Sequence, residues 1–414
     1  MAEKMEIKKE LTSIRNSKKF LPYSSSGYMA NRLSGILAEI RKQSQNPQQG
    51  LEFLERFYSC AGPIFSRCDD SSGIIQGVFR YEAQSLFVEY ARNHGDQDWL
   101  CELLVSMFRK HDYDMCSSLT EEAAQYLDAA HMRSLYERFL TLAEGEDPDW
   151  RNESSRCNAY FCAARDLAVS LKDGFLLEKA HRQEYGEEYK KHYLDVAKVF
   201  LDAGLPDEAL ARLPAQGGCP KYELINAEKL LIRAYEMIGD SKKLAALLEQ
   251  RFERDYSSEA LKLIRKHAGP AKARELSAGM KARIMGLESF SHEGMRFLLD
   301  TGRIDEADDF IVCRFDRING RHYDWLLRYA VRMEKEGRWL ALTVLYRAML
   351  EAILEKAHLK AYGHAVRYMK KLAALAASVP DWKNITPHSA YFAALAEKNK
   401  RKSTLWRKYG GFPG

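Results

Sequence analysis

In the stretch HRQEYGEEYKKH, His181 is followed at helical spacing by Glu184 and Glu188, with His192 one turn further on. Imidazoles and carboxylates at i, i+3 and i+7 fall on one side of a helix, which is how helical bundles present ligands to a metal ion. Such bundles draw their ligands from four helices, and the companion Glu-x-x-His patterns are missing from this chain. One helix does not close a coordination sphere, so the spacing reads as a solvated polar face.

Two other groups of reactive residue types are weaker. Cys60 and Cys68 flank a turn, with Asp69 and Asp70 beside them, but a zinc site needs tighter ligand pairs such as CxxC followed by a second pair. None of the eight cysteines, at 60, 68, 101, 116, 157, 162, 219 and 313, forms such a pair, so they read as small buried hydrophobes. In RHYDWLLRY, His322 and Asp324 lie two apart and do not face each other on a helix. Trp325 and Tyr329 share a face there and read as a core stripe beside a partly exposed histidine. No phosphate-cradling glycine loop, no dinucleotide fingerprint, no HExxH and no serine nucleophile elbow occurs. The sequence therefore points to no catalytic set, no metal and no cofactor.

Charge gives the most suggestive pattern. From Lys398 to Gly410, KNKRKSTLWRKYG carries Arg401, Lys402, Arg407 and Lys408 around Trp406 and Tyr409, with no acid. Cations interleaved with aromatics can contact phosphates and stack on bases. Lys8, Lys9, Arg15, Lys18 and Lys19 add basic residues near the other end. The same letters fit a terminal amphipathic helix that docks Leu405, Trp406 and Tyr409 and leaves its cations in water. The net charge of +5 is small for 414 residues and does not choose between them.

The elements that carry these residues are helical. YLDVAKVFLDAGLPDEALARLP, Tyr193 to Pro214, reads as two amphipathic helices joined at Gly204, with Asp207 and Glu208 opening the second. The shape returns at Gly302, followed by Asp305 and Glu306, and more loosely at Gly239 and Gly337. Gly204 to Gly239 and Gly302 to Gly337 are each 35 residues, with Gly269 between them, close to the period of a two-helix repeat. A helical pair cannot bury its apolar faces alone, so successive pairs stack into a continuous core. Leu244, Leu247 and Leu248 then face inward, with Lys242 and Lys243 outside.

The first third is helical but less regular. Met29, Leu33, Ile36, Leu37 and Ile40 line one face, Leu51, Leu54 and Phe57 another, and Asp70, Ser71 or Ser72 can cap the helix after CDDSSG. The acidic stretch around Pro148 reads as a boundary or equally as a long loop within one curved array, and runs of β-branched residues that would make a sheet are absent. The expected organisation is an irregular helical domain over 1–148, a helical-repeat array over 149–396, and a basic end over 397–414 packed on the last repeat. The fold class is all-α, a superhelical array of helical hairpins resembling a tetratricopeptide-type α-solenoid. With 46% hydrophobic and 29% charged residues, no apolar run long enough to span a bilayer and no leader-like start, the sequence suggests a cytoplasmic protein with reduced cysteines and no membrane partner.

FLPYSSSGYMANRLSGILAEI, DDSSGIIQGVF, HAVRYMKKLAAL and HSAYFAALAEKNKRKSTLWRKY together resemble an uncharacterised bacterial family of cytoplasmic all-helical proteins. The C-terminal part, with His364, Tyr368, His388, Tyr391 and Trp406, is also similar to helical regions of proteins that carry a SWIM-type zinc finger. The zinc ligands of that finger are absent here, so the resemblance carries over no zinc-dependent role and implies no activity.

The reading that follows is a protein-binding scaffold or adaptor whose partner is another protein. Tyr193, Arg233, Tyr235, Arg328 and Tyr329 are the candidate surface positions. Nucleic-acid binding through Arg401, Lys402, Trp406, Arg407 and Lys408 is the alternative, and an enzyme with an unrecognised site is a third class.

Overall fold

A helix commonly ends on a residue in the left-handed conformation, which glycine enters without a Cβ penalty. The structure, a computed structural model, describes residues 6–110, 115–145, 156–214, 222–356 and 359–412. In it Gly204, Gly239, Gly302 and Gly337 all have positive φ, between 68° and 78°, and Gly269 does too. The recurring glycines are thus the turns of a repeat-like succession of helix pairs. The acidic stretch at Pro148, the boundary expected there and Cys219 lie outside the described residues.

Helix starts are set by local chemistry. Asn46, Asp128, Asp173, Asp240, Ser257 and Ser291 each accept a hydrogen bond from a backbone N–H in the first turn of the following helix. Asp70 accepts from Ile75 N at 3.1 Å and Gln76 N at 2.9 Å, which opens the helical run from Ile74 to His94. A π-helical segment, Val78–Ala83, interrupts that run. Among the described residues the extended pairing is an isolated parallel bridge between Leu21 and Cys68. No described helix is long and apolar enough to cross a membrane.

The chain forms two compact units, Met1–Gly239 and Asp240–Gly414. The boundary expected at 148/149 falls inside the first, where the helices on either side of it, Ala129–Glu144 and Arg156–Ser170, pack along each other. The first unit's core is aromatic. Phe57, Tyr58, Phe79, Phe108, Phe139 and Tyr160 are fully buried, with Phe57 and Phe79 centroids 5.0 Å apart and Phe108 and Phe139 4.8 Å apart.

In the second unit successive helices also pack in pairs, Ser241–Asp255 on Ser258–His267 and Tyr323–Lys335 on Trp339–Lys356. Leu244, Leu247 and Leu248 point into its core as their spacing requires, and Lys242 and Lys243 lie outside. Its C-terminal core gathers Leu350, Leu354, Tyr362, Met369, Leu395, Leu405 and Trp406.

A Cβ built on Gly204 or Gly302 meets nothing within 4 Å, so alanine at either site is opposed by the left-handed backbone alone. Gly204→Ala and Gly302→Ala are each expected to destabilise their unit by about 1–2 kcal/mol. Chemical denaturation of the two variants checks this, and an unchanged midpoint would show that the turns relax without strain.

Candidate functional site

The Trp339–Lys356 helix buries Leu340, Leu342, Leu345, Leu350 and Leu354 on several of its sides. A helix buried nearly all round lies inside its domain. Arg347 stands in the middle of this apolar run and is only 7% exposed. Its Nη1 donates to the Thr386 carbonyl at 2.7 Å. The guanidinium also lies 4.0 Å from the Tyr391 ring centroid and 5.1 Å from that of Trp382.

The other edge of this guanidinium is closed over by protein that offers it no hydrogen bond. Nε and Nη2 are buried and meet no hydrogen-bond partner. Burial works against the charge, offset by Tyr391 and by Glu351 one turn along the helix. A buried cation ordinarily finds a carboxylate, because desolvating it without one is unfavourable. Arg347 also helps to line a cavity of about 610 Å³ together with Arg321, Glu351, Tyr391 and Lys398.

Gly320 shapes this cavity. Its backbone lies so close to the Trp339–Lys356 helix that an added Cβ would sit 1.9 Å from the Ala348 carbonyl oxygen and 3.0 Å from the Ala352 Cβ. The small side chains of Ala348 and Ala352, one turn apart, make room for the loop. Arg321 then reaches Glu355 at 3.2 Å. Gly320, Arg321 and Ala352 also line a second cavity, about 480 Å³, with Tyr323, His364 and Tyr368. Exposed aromatic side chains, Phe315 at the first cavity and Tyr323 at the second, flank the loop.

Residues 2–408 match a family described as a family of unknown function, DUF6880. The chain belongs to DUF6880. No curated protein matches it. Among solved structures, a circular tandem repeat protein with novel repeat topology and enhanced subunit contact surfaces is 14% identical, over 98% of this chain and 97% of that one. Its TM-score is 0.20, too low to carry an argument about this fold.

The DUF6880 chain uses several of the residues that its sequence singles out in other ways. In the first unit, the Tyr193 hydroxyl donates to Glu223 at 2.6 Å, and Arg233 pairs with Asp202 at 2.6 Å while also reaching the Leu201 carbonyl. Tyr235 is half-buried. In the second unit, Arg328 is exposed, 5.5 Å from the Trp325 ring centroid. Tyr329 is 3% exposed and donates to the His292 carbonyl at 3.2 Å, so it is core and not a surface position. Four residues advance a helix by one turn plus about 40°. That offset puts Tyr329 with Leu326 and Met333 inside and leaves Trp325 at the exposed edge.

The basic end of the DUF6880 chain is also divided. Trp406 is 3% exposed, and its Nε1 donates to the Asn399 carbonyl at 2.9 Å, leaving no free face for a base. Lys402 Nζ donates to the Leu354 carbonyl and to Asn399 Oδ1. Arg401, Arg407 and Lys408 remain exposed. The segment therefore docks its apolar side and keeps these three cations in water.

The reactive residue types fall apart as a set. Cys60 is fully buried near the Leu11 carbonyl, and burial pushes its thiol up to about 11. His322 pairs with His292 across 2.8 Å, not with Asp324. Glu184 is held by Arg165 and Glu188 by Lys191. His181 is buried, which corrects the expectation of a solvated polar face for that stretch. Arg347 was missed, although a lone arginine inside WLALTVLYRAMLEAIL was a visible signal.

Two outcomes test this description. Trp406→Ala is expected to destabilise the second unit by about 3–5 kcal/mol, as for other buried tryptophans, while Arg407→Ala leaves it unchanged. Equal effects in thermal melts would contradict the core role. His292 is held below the ordinary histidine value of 6.5 by burial and then by His322, and His388 by burial and then by Arg347. The unfolded chain therefore binds these protons first as pH falls. Their contribution to stability is present above about pH 6.5 and lost as pH drops through the lower folded values. Urea midpoints measured across that range should fall with pH, and a midpoint that rises on acidification would reverse the assignment.

Proposed function

We propose that the chain is a protein-binding scaffold without catalytic activity of its own, and that its second unit takes an acidic side chain of a partner protein at Arg347. The observation that carries this reading is the cavity lined by Arg321, Arg347 and Lys398, beside which two Arg347 donors, Nε and Nη2, stay unpartnered and closed over until a carboxylate displaces what covers them. Two N–H groups on one edge match the two oxygens of a carboxylate, and such forked pairs are among the strongest hydrogen-bonded contacts. Phe315 and Tyr323 add exposed aromatic surface, the residue type that anchors protein interfaces. Stacked helix pairs supply extended surfaces of the kind that bind other proteins. A cytoplasmic setting completes the reading, on the sequence grounds of composition and reduced cysteines.

The nucleic-acid alternative rests on Arg401, Arg407 and Lys408, without the tryptophan that would stack on a base. These three cations alone would give a weak, salt-dependent contact.

An array of short peptides that differ only in Asp or Glu against Asn or Gln, probed with the purified chain, tests the proposal. Acidic peptides should be retained, and Arg347→Met should weaken the best of them by at least about tenfold, or 1.4 kcal/mol. Arg347→Met gives up the hydrogen bond to the Thr386 carbonyl along with the buried charge, so its thermal melt is measured beside the parent's, and lost binding in a variant that melts with the parent reflects the missing guanidinium. Binding that is indifferent to Arg347→Met would overturn the assignment. So would selective retention of a single-stranded oligonucleotide that disappears in the Arg401→Ala, Arg407→Ala, Lys408→Ala triple variant.

A further inference from the structure

We propose that His181, His192 and Asp195 bind a zinc-class transition-metal ion in the first unit, through two imidazoles and one carboxylate. The site is assembled by a turn. His181 lies in the last turn and a half of the Gly174–Tyr185 helix, and Gly186, at φ +55°, redirects the chain into the 3-10 segment Gly186–His192. That segment runs straight into the Tyr193–Asp202 helix, whose first turn carries Asp195. His192 and Asp195 are three residues apart and project to the same side, back toward His181. One ligand atom from each of the three residues lies within 4.8 Å of the others.

His181 is the observation that asks for a ligand. It is 4% exposed, and neither ring nitrogen has a hydrogen-bond partner. A buried imidazole normally satisfies at least one nitrogen, because an unmet polar group away from water is unfavourable. Here the nearest rings offer only their faces. His192 stacks on His181 at 4.4 Å between centroids and 7° between planes, and Tyr185 stacks on His192 at 4.3 Å.

The stacking defines what metal binding must do. A histidine nitrogen donates in the plane of its ring, so two parallel imidazoles cannot both point at one ion. His181 is fixed by burial, whereas His192 is only half-buried at the end of a short 3-10 segment. His192 is therefore the ring that turns, and an ion exchanges its ring stack for a nitrogen bond. Donor separations then close modestly to suit metal–ligand bonds of about 2.0–2.2 Å.

The electrostatics permit a cation. Arg165 and, at His192, Lys191 are positive side chains that act on the imidazoles, but Lys191 is paired with Glu188, and Arg165 is paired with Glu184 and donates to the Tyr185 hydroxyl at 3.0 Å. Asp195 is exposed and supplies the negative charge at the solvent side. Two nitrogens and one carboxylate oxygen suit zinc, cobalt or nickel, and not calcium or magnesium, which take oxygen sets. Three protein ligands leave a fourth position facing water.

Titration of the metal-free full chain with zinc chloride, and separately with cobalt chloride followed by visible absorption, tests the site. One ion per chain should bind, with the d–d absorption of nitrogen- and oxygen-bound cobalt and no sulfur charge-transfer band. His192→Ala and Asp195→Asn, both at accessible positions, should each weaken binding by more than about tenfold, the loss that even an outer-shell change can produce. His181→Gln should abolish binding, and if that variant does not fold, the two accessible variants still decide. Cys313→Ser is the control and should bind as the parent does. Absence of cobalt absorption, or affinity unchanged in His192→Ala and Asp195→Asn, would overturn the proposal.

Discussion

An amphipathic helix pair exposes apolar surface until another pair covers it, and this requirement organises both units of the chain. Each pair must turn sharply enough to lay its second helix along the first, and then hand the chain to the next pair without spreading the core. Glycines with positive φ provide the sharp turns, and capping Asp, Asn and Ser residues open the helices that follow. The aromatic interior of the first unit and the leucine-rich interior of the second are two ways of filling the space so created.

Both candidate sites are exceptions to that apolar filling. Arg347 places a charge inside a helix whose other buried residues are uncharged and mostly apolar, and His181 places an imidazole where no protein group meets its nitrogens. Local consistency is what makes a chain fold, so departures from it fall preferentially where something else is required of the chain. Each residue keeps donor or acceptor atoms that no protein group meets. The carboxylate proposed for one and the metal proposed for the other would each complete an interaction that the fold leaves half made.

Much of the architecture was legible because its causes are local. The spacing of Leu244, Leu247 and Leu248, the stripe from Met29 to Ile40 and the turn glycines all depend on neighbours within a few residues. The sites were less legible because they join distant segments. The wall around Arg347 brings together residues near 316–321, the central helix, and Trp382 to Tyr391. The HRQEYGEEYKKH stretch did suggest metal chemistry, but helical spacing chose Glu184 and Glu188 as the companions of His181. The break at Gly186 takes Glu188 off that line and brings His192 and Asp195 in, while Glu184, still on the helix of His181, is held by Arg165. The burial of Tyr329 against the exposure of Trp325 turned on about 40° of helix rotation, finer than a sequence stripe resolves.

The absence of a side chain at Gly320 has a mechanical consequence. The wall common to the two neighbouring cavities is made by Gly320 and Arg321 and by Ala352 of the Trp339–Lys356 helix, with the strip of backbone at Gly320 seated against the Ala348 carbonyl. If that strip shifts, the space on one side changes together with the space on the other, so the two volumes are not independent variables. An occupant that presses on the strip from one cavity alters the work of filling its neighbour, and by thermodynamic reciprocity the second occupant acts on the first to the same extent.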